Sequence, residues 1–289
     1  MKTLTLAALA LLLAGCVGEP RNGGNRLGYL LNSEYPSTSQ NERVRFLVLH
    51  YTAADDAVSL RLLTQGVVSA HYLVPSAVDP SMKRRTVYQL VPEDKRAWHA
   101  GVSNWNGRSN LNDSSIGIEI VHPGFIDSSD GRYWYPWDAQ QVRLVASLAQ
   151  DVIQRYAITP DNVVAHSDIA PGRKFDPGPL FPWQQLAEQG IGAWPDSTTV
   201  QHYLAGRSHF AAGSVRKIQT DLASYGYTIP QTGIGDEKTR KAIAAFQMHF
   251  RPTNFSGVAD AETEAIAAAL VAKYRMSGRI MPQENDVAL

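Results

Sequence analysis

The sequence predicts an α/β fold, with a mixed central β-sheet flanked by helices and a small C-terminal three-helix bundle behind it. Three observations predict it. Between about residues 43 and 190, short β-branched runs alternate with longer segments of helical period. From about 213 onward only helical stripes remain. That last part also contains no tryptophan, so its composition differs from what precedes it.

Taken in order, 44–51 is a mostly apolar run of strand length, the pattern of a strand buried on both faces. Asp55 or Asp56 can cap a helix that runs to Gln65, with Val58, Leu62 and Leu63 on one side. Residues 70–74 and 86–91 are strand candidates. Residues 115–121 (S-I-G-I-E-I-V) alternate, which sends the two sets of side chains to opposite faces. Asp138 can cap a long helix to Tyr156, with Val142, Val145, Leu148 and Val152 at helical spacing. Residues 161–166 read as another short strand. Residues 191–212 are a poorly patterned connector. Beyond them, Val215, Ile218 and Leu222 mark a first helix. Asp236 caps a second carrying Ile243, Phe246 and Phe250, and Asp260 a third carrying Ile266 and Leu270. The tail, 275–289, reads as disordered.

The start of the chain has a different character. Lys2 is the only charge in residues 1–15, and an apolar run too short to span a bilayer follows it. The run ends in L-A-G-C, closing on Cys16, the only cysteine. This resembles a bacterial lipobox, which implies removal of 1–15 as a lipoprotein signal peptide and lipidation of Cys16. Several acyl chains anchor stably where one is marginal. Val17 rather than Asp follows, and that resembles sorting to the outer membrane, facing the periplasm. Residues 16–42, rich in Gly, Asn, Ser and Pro, read as the tether.

Charge excludes some partners. The chain has 27 basic and 27 acidic residues, or 26 against 27 without Lys2. No basic stripe suits nucleic acid, so none is expected as a partner. The membrane is expected only through the lipid. No coiled-coil pattern argues for an oligomer, and a monomer is the default.

Chemistry concentrates in two places. His50 ends one apolar run and His166 ends another, at positions where strands present side chains at a sheet edge. Asp176 lies ten residues past His166, on a loop punctuated by Pro171, Pro177 and Pro179. Two imidazoles and a carboxylate are three ligands for a zinc ion, one per chain. Three ligands leave a fourth position open, as catalytic rather than structural sites do.

The motifs F-L-V-L-H-Y-T, V-S-A-H-Y-L-V, A-W-H-A-G, L-N-D-S-S-I-G-I-E and H-S-D-I-A-P-G-R-K-F-D-P-G-P together resemble the zinc-dependent N-acetylmuramoyl-L-alanine amidases of the type 2 family. That fold is shared with T7-type lysozymes and peptidoglycan recognition proteins. The resemblance covers about residues 40–190. With Cys16 and the bundle, it points to the outer-membrane lipoprotein members. It implies that His50, His166 and Asp176 hold zinc. It implies that Glu119 activates the attacking water and that Lys174 stabilises the tetrahedral oxyanion. The activity implied is hydrolysis of the N-acetylmuramic acid–L-alanine amide in peptidoglycan or its muropeptides. Trp98, His99 and Asn112 are candidate substrate contacts, with packing or turn-capping as the alternative. His71 and His122 are further candidates, and Tyr51 and Thr52 are candidates to support the ligands. Residues 213–274 resemble a peptidoglycan-binding helical domain. Recognition-only proteins share the fold, so a binding lipoprotein without catalysis is the alternative. If 43–190 and 213–274 are separate domains, deleting 213–289 should leave activity on soluble muropeptides.

Overall fold

The computed structural model describes residues 25–26, 28–76 and 86–276. The signal segment, Cys16 and the tail from 277 lie outside the described residues. The chain divides into two compact units, 1–41 and 42–289. The described part of the first holds a short antiparallel pair, β1 (Asn25–Arg26) and β2 (Tyr29–Leu30).

The second unit is built on a five-stranded sheet. Its strands are β3 (Phe46–Tyr51), β4 (Tyr72–Val74), β5 (Tyr88–Gln89), β8 (Ser115–Ile120) and β11 (Val163–Ala165). The order across the sheet is β11-β3-β8-β4-β5, parallel except for β5 at one edge. Two short hairpins lie outside it. They are β6 (Asn104–Trp105) with β7 (Arg108–Ser109), and β9 (Phe125–Ser128) with β10 (Gly131–Trp134). Helix α1 (Asp56–Gln65) links β3 to β4, and α2 (Ala139–Tyr156) lies between β8 and β11. Each starts on the expected cap. Asp55 accepts from the N–H of Val58, and Asp138 from those of Gln140 and Gln141.

Alternation along the strands sorts the two faces. Leu47, Leu49, Ile116, Ile118, Ile120 and Val163 face α2, where Val142, Val145, Ala149 and Val152 complete one core. Phe46, Val48 and Val164 face the other way, into a second core. Continuing that second parity along the strands puts His50, Ser115, Gly117 and Glu119 on the same face.

The structure is shorter or different from the sequence expectation at several points. The strands at 70–74 and 86–91 contract to β4 and β5. The strand at 161–166 ends at Ala165, and His166 opens the short helix α3 (His166–Ile169). Helix α4 (Trp183–Ala187) follows. The connector contains a helix, α5 (Ser197–Leu204), whose Leu204 packs on Ala261 and Ala265. With few apolar residues and one buried side chain, it gave no sequence stripe.

The three C-terminal helices are present: α6 (Val215–Tyr225), α7 (Glu237–Phe250) and α8 (Ala261–Val271). Ser214, Asp236 and Asp260 cap them. They do not form a core of their own. Ile218, Leu222, Phe246, Phe250 and Leu270 share one buried cluster with Phe46, Val48, Trp105, Leu111, Val164 and Ile169 from the sheet side. Trp105 sits edge-on to Tyr227 at 4.9 Å between ring centroids and to Tyr225 at 5.8 Å. Gly226 adopts φ +146°, and a Cβ there would stand 3.0 Å from the Trp105 ring. Asp168, fully buried in α3, accepts from Tyr227 Oη at 2.6 Å and pairs with His249 Nδ1 at 2.7 Å. These contacts make the helices the cover of the sheet's second face.

Removal of residues 213–289 is therefore expected to unfold the remainder rather than release a working domain. The full protein should melt in one cooperative transition by calorimetry, and the truncated chain should show none. Phe246→Ala should cost about 3–5 kcal/mol in denaturant unfolding.

Candidate metal centre and its cleft

The three proposed ligands meet at the carboxyl ends of β3 and β11, where open α/β sheets place their sites. His50 ends β3 directly opposite Glu119 of the neighbouring β8. His166 follows the last residue of β11. The 170–176 loop brings Asp176 back to it. Arg173 and Lys174 N–H groups both donate to the Ala170 carbonyl at 3.1 Å, which folds the loop over. Ser167 N–H then donates to the Asp176 carbonyl at 3.0 Å and closes it. All three side chains are buried.

The donor atoms form a tight triangle. His50 Nδ1 lies 2.9 Å from His166 Nδ1, and each lies 3.0 Å from Asp176 Oδ2. The surrounding hydrogen bonds assign the protons. Ser115 Oγ donates to the Leu111 carbonyl at 2.7 Å, so it accepts from His99 Nε2 at 3.1 Å. His99 Nδ1 is then a lone pair and accepts from His50 Nε2 at 3.0 Å. His166 Nε2 donates to the Ala100 carbonyl at 3.1 Å. Both imidazoles are thereby left with a bare Nδ1 aimed at the Asp176 oxygen. Three lone pairs within 3.0 Å and no proton among them repel one another unless a cation sits between. Two nitrogens and one oxygen suit a zinc-type cation. The residues present fit that group.

Protonation agrees with this assignment. Burial, reinforced by the His166 charge, pushes His50 down to about 4. Burial and then His50 hold His99 well below its ordinary value. Burial pushes the Asp176 carboxyl up, but His166 and His50 outweigh it and hold it well below the carboxylate range. His50 is thus a neutral imidazole beside an ionised Asp176 carboxylate.

The cleft around the triangle has a volume of about 290 Å³. Glu119 lines it, and its Oε2 is enclosed with no hydrogen-bond partner among the described residues. Burial, and secondarily Asp176, pushes the Glu119 carboxyl up to about 8, with Lys174 opposing. Lys174 lines the same cleft, half-buried, with no ion pair among the described residues. Tyr51, Thr52 and Trp98 line it too. Trp98 is 52% exposed, with the Arg96 guanidinium 4.1 Å from its ring.

The other sequence candidates sit elsewhere in the architecture. His99 touches the cleft, but its nitrogens are spent on Ser115 and His50. Gly117 is required beneath it, because a Cβ there would stand 2.4 Å from the imidazole. Asn112 is buried below the cleft. Its Oδ1 accepts from the N–H groups of His99 and Ala100, at 3.1 and 2.8 Å, and braces that loop. His71 Nδ1 accepts from Gly117 N–H, and its Nε2 donates to the Lys95 carbonyl. His122 stacks on Trp137 at 3.9 Å. The sequence reading passed over Ser115. It stands inside L-N-D-S-S-I-G-I-E on the same parity as Glu119, which is the signal that could have found it.

Two imidazoles and a carboxylate gathered at the strand ends, with a spare carboxyl beside them, are an arrangement that could hold one metal ion and hydrolyse an amide. The chain belongs to the N-acetylmuramoyl-L-alanine amidases. That family's model matches residues 40–179, and a peptidoglycan binding domain model matches 212–266. The chain is 49% identical to the Escherichia coli N-acetylmuramoyl-L-alanine amidase AmiD over 269 residues, 93% of this chain and 97% of AmiD. The structure of AmiD in complex with anhydro-N-acetylmuramic acid-L-Ala-D-γ-Glu-L-Lys superposes with a TM-score of 0.83, covering 86% of this chain and 97% of that one. AmpDh3 from Pseudomonas aeruginosa superposes at 0.78 with 46% identity, covering 86% of this chain and 99% of that one. The Enterobacter cloacae 1,6-anhydro-N-acetylmuramyl-L-alanine amidase AmpD is 51% identical over 101 residues, 35% of this chain and 49% of AmpD.

Ser115→Ala should weaken metal binding about tenfold or more, read by competition with a chromophoric chelator. In the metal-free variant, ¹⁵N NMR should show His50 shifting from a single Nε2–H tautomer to a mixture. An unchanged tautomer would refute the proton assignment.

Proposed function

We propose that this protein hydrolyses the amide between N-acetylmuramic acid and L-alanine, in peptidoglycan or in muropeptides, with one zinc held by His50, His166 and Asp176. The observation that carries this is the enclosed, unpartnered Glu119 carboxyl beside a cation-demanding triangle of donors. A recognition protein has no use for a buried carboxyl kept free of partners at that point.

When bound, zinc supplies a Lewis acid that polarises the lactyl carbonyl and eases ionisation of water. The chain's own residues do the rest. Glu119 takes the proton of the attacking water and later returns it to the leaving L-alanine amine. A carboxyl pushed up toward neutrality can do both, and nearby positive charge favours its ionised form. Lys174 places an unpaired ammonium in the cleft where negative charge develops on the carbonyl oxygen. Asp176 stays ionised throughout, and the Ser115–His99 chain keeps His50 from turning its proton inward.

We also infer that Cys16 carries lipid and that residues 17–42 let the enzyme reach peptidoglycan from the periplasmic face of the outer membrane. The L-A-G-C sequence after an apolar run supports this. Among the described residues no helix is long and apolar enough to cross a membrane. A monomer with a peptidoglycan fragment as its partner remains our reading.

Digestion of purified muropeptides should release peptides beginning in L-alanine, by mass analysis, and a chelator should stop it. Glu119→Gln should keep the metal and the fold and lose roughly 10²–10⁴-fold in kcat. Lys174→Ala should lose roughly 10²-fold. Metal bound with no cleavage by the unaltered protein would favour recognition alone. Cys16→Ser should abolish incorporation of labelled palmitate and release the protein from membranes.

A further inference from the structure

A second concavity adjoins the cleft, between the sheet side and the C-terminal helices. It has a volume of about 560 Å³ and no acidic residue in its lining. Its walls include Ile169, Pro171 and Arg173 from one side and Ile229, Lys238 and Lys241 from the other. Arg173 lines both this groove and the catalytic cleft. The guanidinium is fixed in place. Its Nη2 donates to the carbonyls of Ala100 and Val102 at 3.0 and 2.7 Å, and Nε and Nη1 have no protein acceptor among the described residues. Lys238, exposed on the first turn of α7, forms no ion pair among the described residues. Lys241 is paired with Glu237 at 2.6 Å, and its stem covers Gly172, where a Cβ would stand 2.5 Å from Lys241 Cδ.

The opposite side of the cleft has the reverse character. Trp98, Leu62 and Val68 present exposed apolar surface. Two cations near the cleft are ion-paired, Arg96 with Asp113 at 2.6 Å and Arg132 with Asp127 at 2.8 Å.

A muropeptide is asymmetric in the same way. On the sugar side, the lactyl carboxyl is consumed in the scissile amide, and the ring is neutral with apolar faces. On the peptide side, the γ-linked glutamate of the compound bound to AmiD keeps its α-carboxylate free, and the last residue adds another. We propose that the groove lined by Arg173 and Lys238 binds the carboxylates of the stem peptide, and that the sugar lies on the Trp98 side. This rests on the amidase reading above. It makes the C-terminal helices part of the substrate site.

Calorimetric titration of the metal-loaded full chain with the free tripeptide L-Ala-γ-D-Glu-L-Lys tests the groove without needing turnover. The tripeptide should bind, and its diamide should bind at least fivefold more weakly. Lys238→Glu should weaken the tripeptide about fivefold, within the range of exposed charge pairs, and the diamide much less. Added salt should erase part of the difference. A glutamate is well tolerated in a first helical turn, so this variant is expected to fold. Arg173→Gln, checked for metal content, should weaken the tripeptide further. Equal affinity of Lys238→Glu and the unaltered protein for the tripeptide would overturn the proposal. So would an equal loss for tripeptide and diamide, or a loss confined to a peptide-free anhydro-disaccharide. Tripeptide binding that responds to Lys238→Glu, in a protein that cleaves no muropeptide, would sink the amidase reading and leave the groove standing.

Discussion

The active end of the sheet depends on one constraint. His50, His166 and Asp176 bring three donor atoms within about 3.0 Å, and the outward hydrogen bonds of the imidazoles leave no proton among them, an arrangement suited to a bound cation. Each imidazole sends its proton outward to an acceptor that cannot give one back. For His166 this is a backbone carbonyl. For His50 it is a relay through His99 and Ser115 that ends on the Leu111 carbonyl. Much of the nearby architecture serves that outward direction. Gly117 leaves room for the His99 ring, and Asn112 pins the backbone of His99 and Ala100, so both the relay and the carbonyl are held in place. Buried polar chains of this kind stabilise a site only when every member is satisfied.

The same face of the sheet explains why the C-terminal helices are more than an appendage. Strand parity turns Phe46, Val48 and Val164 toward the side from which His50 and Glu119 project. Near the donors that face must stay open to substrate. Further down it must be covered, and α6, α7 and α8 cover it. Asp168 lies where the two regimes meet. A fully buried carboxylate is tolerable only with partners, and it has three: Tyr227 and His249 from the C-terminal side, and the Ala165 N–H just before His166. Holding that N–H fixes the point at which β11 turns into α3, and so the direction of a ligand.

What the sequence disclosed follows from the range of the interactions involved. Caps at Asp55, Asp138, Asp236 and Asp260 are local, and each could be read beside its helix. The parity of Ser115–Ile120 is local too, and it separated Glu119 from its isoleucine neighbours. The meeting of His50, His166 and Asp176 is not local. It came from the ends of apolar runs and from a resemblance, because no spacing rule joins residues 116 positions apart. Helix α5 was invisible because it buries Leu204 and little else. The shared core was invisible for a different reason. Ile218, Leu222 and Phe246 show where an apolar stripe lies but not what it faces, so a bundle closed on itself and a cover for the sheet look identical in sequence. Asn112 shows the same limit. A polar residue beside a motif can touch substrate or brace a loop, and only the positions of the His99 and Ala100 N–H groups distinguish the two.

The unpartnered state of Glu119 is the last consequence of this arrangement. A carboxylate that accepted hydrogen bonds from the protein would be held in its ionised form and would give back a proton poorly. Register places Glu119 opposite His50, lining the cleft with its Oε2 meeting no donor among the described residues. Burial there, with Asp176 adding to it, lifts its proton affinity. Lys174, the opposing influence, sits on the far loop rather than in an ion pair. The carboxyl is thus kept near neutrality by a balance of burial and two charges, one from each side of the cleft. Pairing it with any protein donor would tip that balance and spend the lone pair that must accept the proton of water.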